Sequence, residues 1–445
     1  MTRAAPAVNT LRPEDLIGGA LRRTALGLAA LTLLVSCGVH TSGGDSTAEP
    51  APRHWIAGST EEVDAHGTRW SPDPAIASGG SLESSTAAVG GTNNPVVYQH
   101  SRVGVTSYRL PVARTGRYAV VLYLADLDGV RAGQRVFDVL VNGRPAASGI
   151  DVVARVGTHH ADRVLLTTTA KRGHLTVSFR ARAGVAAINA VTMSWVDAGT
   201  APETVFTDDF TGPAGSALDS RWSSEVGGNG WGNNELQSYT ARTSNASLTG
   251  TGDLAITARR ETFTGADGIT RAFTSAKVTT EKSVDLRYGR VAARIRMPAG
   301  SGLLPAFWML GRNHASAGWP QSGEMDIAER PVADRGIFGS LHGPLTASPR
   351  TAYNLTNKTT LSTSPAAGFH VYAIDWYPGV VKFSVDGRAY ATETATDLAP
   401  GQNWVFDQPF YLLLNVAVGG NWPGSPPADE AFPQQMLVDY VRVTR

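Results

Sequence analysis

The chain has 445 residues, more than one hydrophobic core organises, so two or three domains are expected. Apolar residues make up 42% and charged residues 17%, the balance of a globular rather than a disordered protein. A formal net charge of +1 argues against nucleic acid or an acidic membrane surface as the main partner.

The first predicted element is an apolar run from Thr24 to Val35, preceded by Arg22 and Arg23. It has the length of a signal-peptide core and is short for a membrane span. Leu34, Val35, Ser36 and Cys37 then resemble a bacterial lipobox, in which Cys37 would be lipidated and begin the mature chain. An ordinary secretory signal with an incidental Cys is the alternative. Cys37 is the single cysteine, so the chain can form no internal disulfide. Residues 1–37 are read as a signal peptide with lipobox and 38–53 as a flexible tether of the Gly/Ser type. An exported protein is expected, either a cell-surface lipoprotein or secreted.

From 54 to 198 apolar and polar residues alternate in short runs. Leu175, Val177 and Phe179 fall on one face of a predicted strand, Thr176 and Ser178 on the other. The run from Val136 ends in Asn142-Gly143, a strong hairpin signal. Several such strands predict a β-sandwich. Residues 108–112, 116–126, 134–143 and 187–190 together resemble a malectin-like domain, and the resemblance covers nearly all of 54–197. It implies a carbohydrate-binding accessory role, with Tyr98, Tyr108, Tyr123 and Asn189 as sugar-contacting candidates. Where malectin carries aromatics, this chain has Leu127, Asp128 and Gly129.

Gly199 and Pro202 mark a linker over 199–204, and a second β-rich unit runs from 205 to 445. Val381, Phe383 and Val385 share one face of a strand that ends in an Asp386-Gly387 turn. About 240 residues without a strong helical pattern fit one large sandwich or jelly roll. The expected fold class is all-β, with two β-sandwich domains.

The most informative stretch of this unit is Ser322-Gly-Glu-Met-Asp-Ile-Ala-Glu-Arg330. Glu324, Asp326 and Glu329 crowd three carboxylates onto one predicted strand, where they repel one another and lower β-propensity. Hydrolysis of a glycosidic bond needs such a group: one carboxylate as nucleophile and one protonated carboxyl as acid. Strand alternation puts Glu324 and Asp326 on one face, with Met325 and Ile327 on the other. Strict alternation would send Glu329 to the wrong face, so a β-bulge near Ala328 is predicted. Five residues of extended chain separate the two Glu α-carbons by roughly 16 Å. A retaining pair needs its carboxyl groups about 5–5.5 Å apart. The bulge, sheet curvature and converging side chains must close that gap.

The surroundings carry a second resemblance. Residues 231–240, 288–290, 304–311, 318–320, 341–343, 369–376, 409–420 and 438–443 occur in the order seen in glycoside hydrolase family 16, most closely its bacterial laminarinase branch. The resemblance covers essentially all of 205–445 and implies a concanavalin-like jelly roll with a sugar cleft on one sheet. It implies a retaining mechanism, with Glu324 as nucleophile, Glu329 as acid and base, and Asp326 hydrogen-bonded to the nucleophile. Sugars present apolar C–H faces on which indoles stack. In the motif context Trp308, Trp319 and Trp422 are cleft candidates, whereas Trp222, Trp376 and Trp404 are left as core or surface. Asn233, Glu235, Arg290, His342 and Asn415 are the polar cleft candidates. Leu304 stands where the family often has Trp, Lys277 where it often has Arg, and residues 291–293 lack a frequent Glu.

The chemistry implied requires no cofactor, and no His/Cys cluster of transition-metal spacing is visible. The family resemblance implies a structural calcium, with Asp439 as its candidate ligand. The expected partner is a β-1,3-glucan polysaccharide, met by a monomer that binds no nucleic acid and reaches the membrane only through its lipid anchor. The expected activity is that of a retaining endo-β-1,3-glucanase. A mixed-linkage glucanase, a galactanase, a transglycosylase and a non-catalytic glucan-recognition protein are the alternatives.

Overall fold

A computed structural model describes residues 49–331 and 335–445. The signal, the lipobox with Cys37 and most of the tether lie outside the described residues. The described chain is almost wholly β: four sheets, with only short helices such as Val152–Val156 and His314–Ala317. Two six-stranded sheets use strands between Arg53 and Asp197. A ten-stranded and a seven-stranded sheet use strands between Thr204 and Thr444. The all-β architecture expected from sequence is the one the chain adopts.

Local signals explain the hairpins. Asn142 and Gly143 have φ of 49° and 76°, the left-handed pair that a two-residue turn between right-twisted strands demands. That turn joins Val136–Val141 to Arg144–Ile150, and Asp386-Gly387 does the same between Val380–Val385 and Arg388–Thr394. Leu175 and Val177 are fully buried in the first sandwich, with Phe179 packed against them, as the alternation predicts.

The strand Gly116–Leu124 explains why its sequence is apolar almost without interruption. Tyr118, Val120, Leu122 and Leu124 point into the N-terminal sandwich. Ala119, Val121 and Tyr123 point the other way, into a cluster continuous with the core of the C-terminal sandwich. A strand covered on both faces has no polar side to present. Each Val or Leu buried in this way contributes roughly 1.5–3 kcal/mol. The C-terminal core lies between its two sheets. Phe307, Met309, Met325, Ile327, Leu341, Leu412 and Leu414 of the seven-stranded sheet face Val291, Ile295, Ile374, Phe383, Val438 and Val441 of the other.

Candidate active site

The strand Glu324–Glu329 runs inside the seven-stranded sheet, between Leu303–Gly311 and Gly336–Pro344. Its pairing slips where the sequence predicts. Phe307 stands opposite Ala328 and Trp308 opposite Asp326, so Ile327 has no partner on that side. Met325, Ile327 and Ala328 are each no more than 2% exposed and all belong to the core. Two successive residues facing inward is what a bulge produces, and it returns Glu329 to the face of Glu324 and Asp326. Glu324 and Glu329 therefore stand opposite Leu310 and Ala306, four residues apart on the neighbouring strand rather than five.

All three acids line one cleft of about 940 Å³. Trp308, Trp319, Trp422, Asn233, Glu235, His342 and Asn415 line it with them, as the sequence led us to expect. Trp319 and Trp422 are 45% and 46% exposed, unusual for indoles and suited to a sugar platform. Trp308 is held by its ring N–H, which donates to Asn415 Oδ1 at 2.7 Å, while Asn415 donates to the Tyr239 hydroxyl at 3.1 Å. Glu235 accepts from Gln237 at 2.6 Å, and burial holds its carboxyl above the usual range.

The acid cluster is organised by His342, which faces Glu324 in the register. Its Nε2 lies 2.8 Å from Asp326 Oδ2 and 4.0 Å from Glu324 Oε1, and its Nδ1 lies 2.6 Å from Asn354 Oδ1. Burial works against a charged imidazole. Its contact with Asp326 and the charges of Asp326 and Glu324 prevail, raising His342 to about 10. Burial, with Asp326 next, pushes Glu324 up to about 8. Burial and then the charges of Asp326 and Glu324 push Glu329 well above the ordinary range. The two glutamates differ in what favours their anions. His342, Lys277 and the Trp319 indole act on Glu324, but His342 alone acts on Glu329. Of the two, Glu324 is therefore the better placed to ionise and Glu329 the better placed to hold a proton.

Lys277 and Trp231 also line the cleft and were not among the expected site residues. The Lys277 ammonium lies 4.4 Å from the Trp231 ring centre and 5.0 Å from that of Trp308, and it pairs with Glu225 at 2.8 Å. The available signals were the motif containing Trp231 and the departure at Lys277.

Several expectations are corrected. Arg290 is not in the cleft: Gly289–Arg296 belongs to the ten-stranded sheet, where Arg290 stands opposite Asp375 and pairs with it at 2.9 Å. Tyr98, Tyr108, Tyr123 and Asn189 are each no more than 2% exposed and cannot reach a sugar as placed. Tyr108 donates to Asp73 at 3.1 Å, and Asn189 bonds the backbone of Ala125, Tyr98 and His100. Asp439, expected to ligate calcium, lies 2.5 Å from Arg294 Nη1. With its carboxylate already matched by a guanidinium, it does not fit a calcium ligand set.

A pair of half-buried carboxyls on one face of a bulged strand, set beneath exposed indoles in an open cleft, is the arrangement of a glycoside hydrolase. Comparison with known proteins agrees. The model for glycosyl hydrolases family 16 matches residues 233–442, and that for the malectin domain matches 53–197. A β-glucanase of Rhodothermus marinus is 42% identical over 256 residues, 55% of this chain and 85% of that protein. A glucan endo-1,3-β-glucosidase of Cryptopygus antarcticus is 38% identical over 231 residues, 50% of this chain and 82% of that protein. Among solved structures, an endo-β-1,3-glucanase from Pyrococcus furiosus is 40% identical and covers 56% of this chain and 96% of its own, with a TM-score of 0.51. The chain belongs to glycosyl hydrolase family 16.

Proposed function

We propose that the protein is a retaining endo-β-1,3-glucanase that cleaves internal bonds of laminarin-type glucans. The observation that carries the mechanism is the bulge at Ile327–Ala328, which brings Glu329 into the cleft beside Glu324. Glu324 attacks the anomeric carbon while Glu329 protonates the departing glycosidic oxygen, giving a glycosyl ester with inversion. Glu329, now a base, takes a proton from water as that water attacks the same carbon. The second inversion restores the configuration and frees Glu324. Asp326, 2.8 Å from His342 Nε2, lies next to the nucleophile in the strand, and its charge favours the protonated form of Glu329. The linkage preference is supported by the names of the relatives, which include two glucan endo-1,3-β-glucosidases and an endo-β-1,3-glucanase.

The test is a product profile on laminarin, curdlan, lichenan and agarose, alongside Glu324→Ala. Oligosaccharides released from the first two, with near-complete loss in the variant, are expected. Cleavage of agarose alone would overturn the substrate, and unchanged turnover by the variant would overturn the mechanism. If sugar intercepts the glycosyl ester instead of water, longer products appear and the enzyme is a transglycosylase.

We also propose export with a lipid at Cys37. Palmitate labelling that disappears in Cys37→Ala supports it; labelling that persists in the variant refutes it.

A further inference from the structure

We infer that the N-terminal sandwich is a positioning element of the active site: it grips residues 394–398 of the C-terminal sandwich, and the chain from there to Gln408 holds the strand ends that present His342 and Glu324.

The grip centres on Asp397, a buried carboxylate whose oxygens are met largely from the N-terminal sandwich. Arg163 reaches Oδ1 at 2.6 Å and Oδ2 at 2.8 Å, while Thr92 and Tyr98 donate to Oδ1 at 2.6 and 3.0 Å. Around it, Asn94 donates to the Thr396 carbonyl at 2.8 Å, and Thr396 donates its hydroxyl to that of Tyr123 at 2.8 Å. His66 Nε2 lies 2.6 Å from the Leu398 carbonyl. Parting the two sandwiches would break the Arg163–Asp397 ion pair and take from Asp397 Oδ1 its donors Thr92 and Tyr98, leaving Thr394 as its side-chain partner. An apolar cluster continuous across the same face, including Val121, Tyr123 and Leu398, closes it further. Tyr98 and Tyr123, two of the three tyrosines that the malectin resemblance suggested for sugar, are committed to this contact.

From the grip the chain leads directly to the cleft. Gly401 and Asn403 bond Thr346 and Pro344 at 2.8 and 3.1 Å, and Pro344 ends the strand that carries His342. The Asn403 carbonyl accepts from Tyr353 at 2.8 Å, next to Asn354, the partner of His342. Gln408 donates to the Ser322 carbonyl at 2.8 Å, two residues before Glu324. At Gly323 an added Cβ would meet Val405 at 3.0 Å and Phe410 at 3.1 Å, so this approach is tightly packed. One segment thus touches both neighbours of the acid cluster, and displacements of about 1 Å at such positions lower turnover by up to about 100-fold.

The test uses the full chain with Arg163→Met, Arg163→Lys and Thr396→Val, each followed by hydrogen exchange and by steady-state kinetics on laminarin. It rests on the glucanase reading only for the kinetic arm; wild-type enzyme inactive on every glucan would sink that reading while leaving the exchange result to stand. Arg163→Met should exchange faster over 394–408 and 341–346, with kcat down about 10-fold and KM nearly unchanged. Arg163→Lys should recover most of kcat. Thr396→Val, which removes one hydroxyl and little volume, should show the same exchange pattern to a smaller degree even if Arg163→Met does not fold. Faster exchange over 394–408 with wild-type kcat would overturn the proposal. So would loss of curdlan binding with wild-type kcat on soluble substrate, which would make the N-terminal sandwich a glycan anchor.

Discussion

His342 and Asp326 form the fixed charge pair of the cleft, with Nε2 2.8 Å from Oδ2 on adjacent strands. Both imidazole nitrogens face acceptors, Asp326 on one side and Asn354 on the other, so the ring is held as a cation. That cation lies 4.0 Å from Glu324 and favours the ionised nucleophile.

Replacing His342 by Gln removes that cation, and the Glu324 carboxyl then ionises at higher pH. The acid limb of kcat/KM should move upward, checked by a pH–rate profile. Stability carries a matching sign. His342 is raised from 6.5 to about 10, so its contribution is complete below about 6.5 and fades as pH rises through 10. The wild type should lose denaturant resistance over that window more steeply than His342→Gln.

Glu329→Gln leaves a side chain that cannot donate a full proton. On laminarin the loss should be about 10²–10⁴-fold. An aryl glucoside oligomer, whose leaving group needs no proton, should lose far less at the glycosylation step. The basic limb of the profile should also vanish, because that limb reports deprotonation of Glu329.

Azide separates the roles of the two glutamates. In Glu324→Ala, azide can enter the vacated nucleophile position and give a glycosyl azide of inverted configuration. In Glu329→Ala, the glycosyl ester still forms and azide replaces water, giving the retained anomer. Proton NMR of the anomeric signal reads the outcome; exchanged configurations would reverse the assignments.

Trp319→Ala and Trp376→Ala should behave oppositely. Trp319 is 45% exposed over the cleft, so its loss should raise KM about 2- to 13-fold, the equivalent of about 0.5–1.5 kcal/mol, with little change in melting. Trp376 is fully buried and donates to the Phe406 carbonyl at 2.9 Å. Its truncation should cost about 3–5 kcal/mol of stability, read by urea unfolding.

Local chemistry made much of this protein legible from residues alone. A period of two, punctuated by Asn142-Gly143 and Asp386-Gly387, specifies strands and their turns. Three acids spaced two and then three positions apart specify a bulge, because only an extra inward residue puts all of them on one face. Side-chain sidedness beyond that strand was decided by the packing of whole sheets. Arg290 lies in a strand of the sheet away from the cleft, and alternation cannot say which sheet a strand joins. Tyr98, Tyr123 and Asn189 lie in the stretch that resembles malectin, yet the approach of residues 394–398 and the sandwich interior bury them. Lys277 gains its place between Trp231 and Trp308 only when strands distant in sequence meet. A chain encodes each strand's two faces locally; what covers each face is a property of long-range contacts, and those form only when the sheets close on one another.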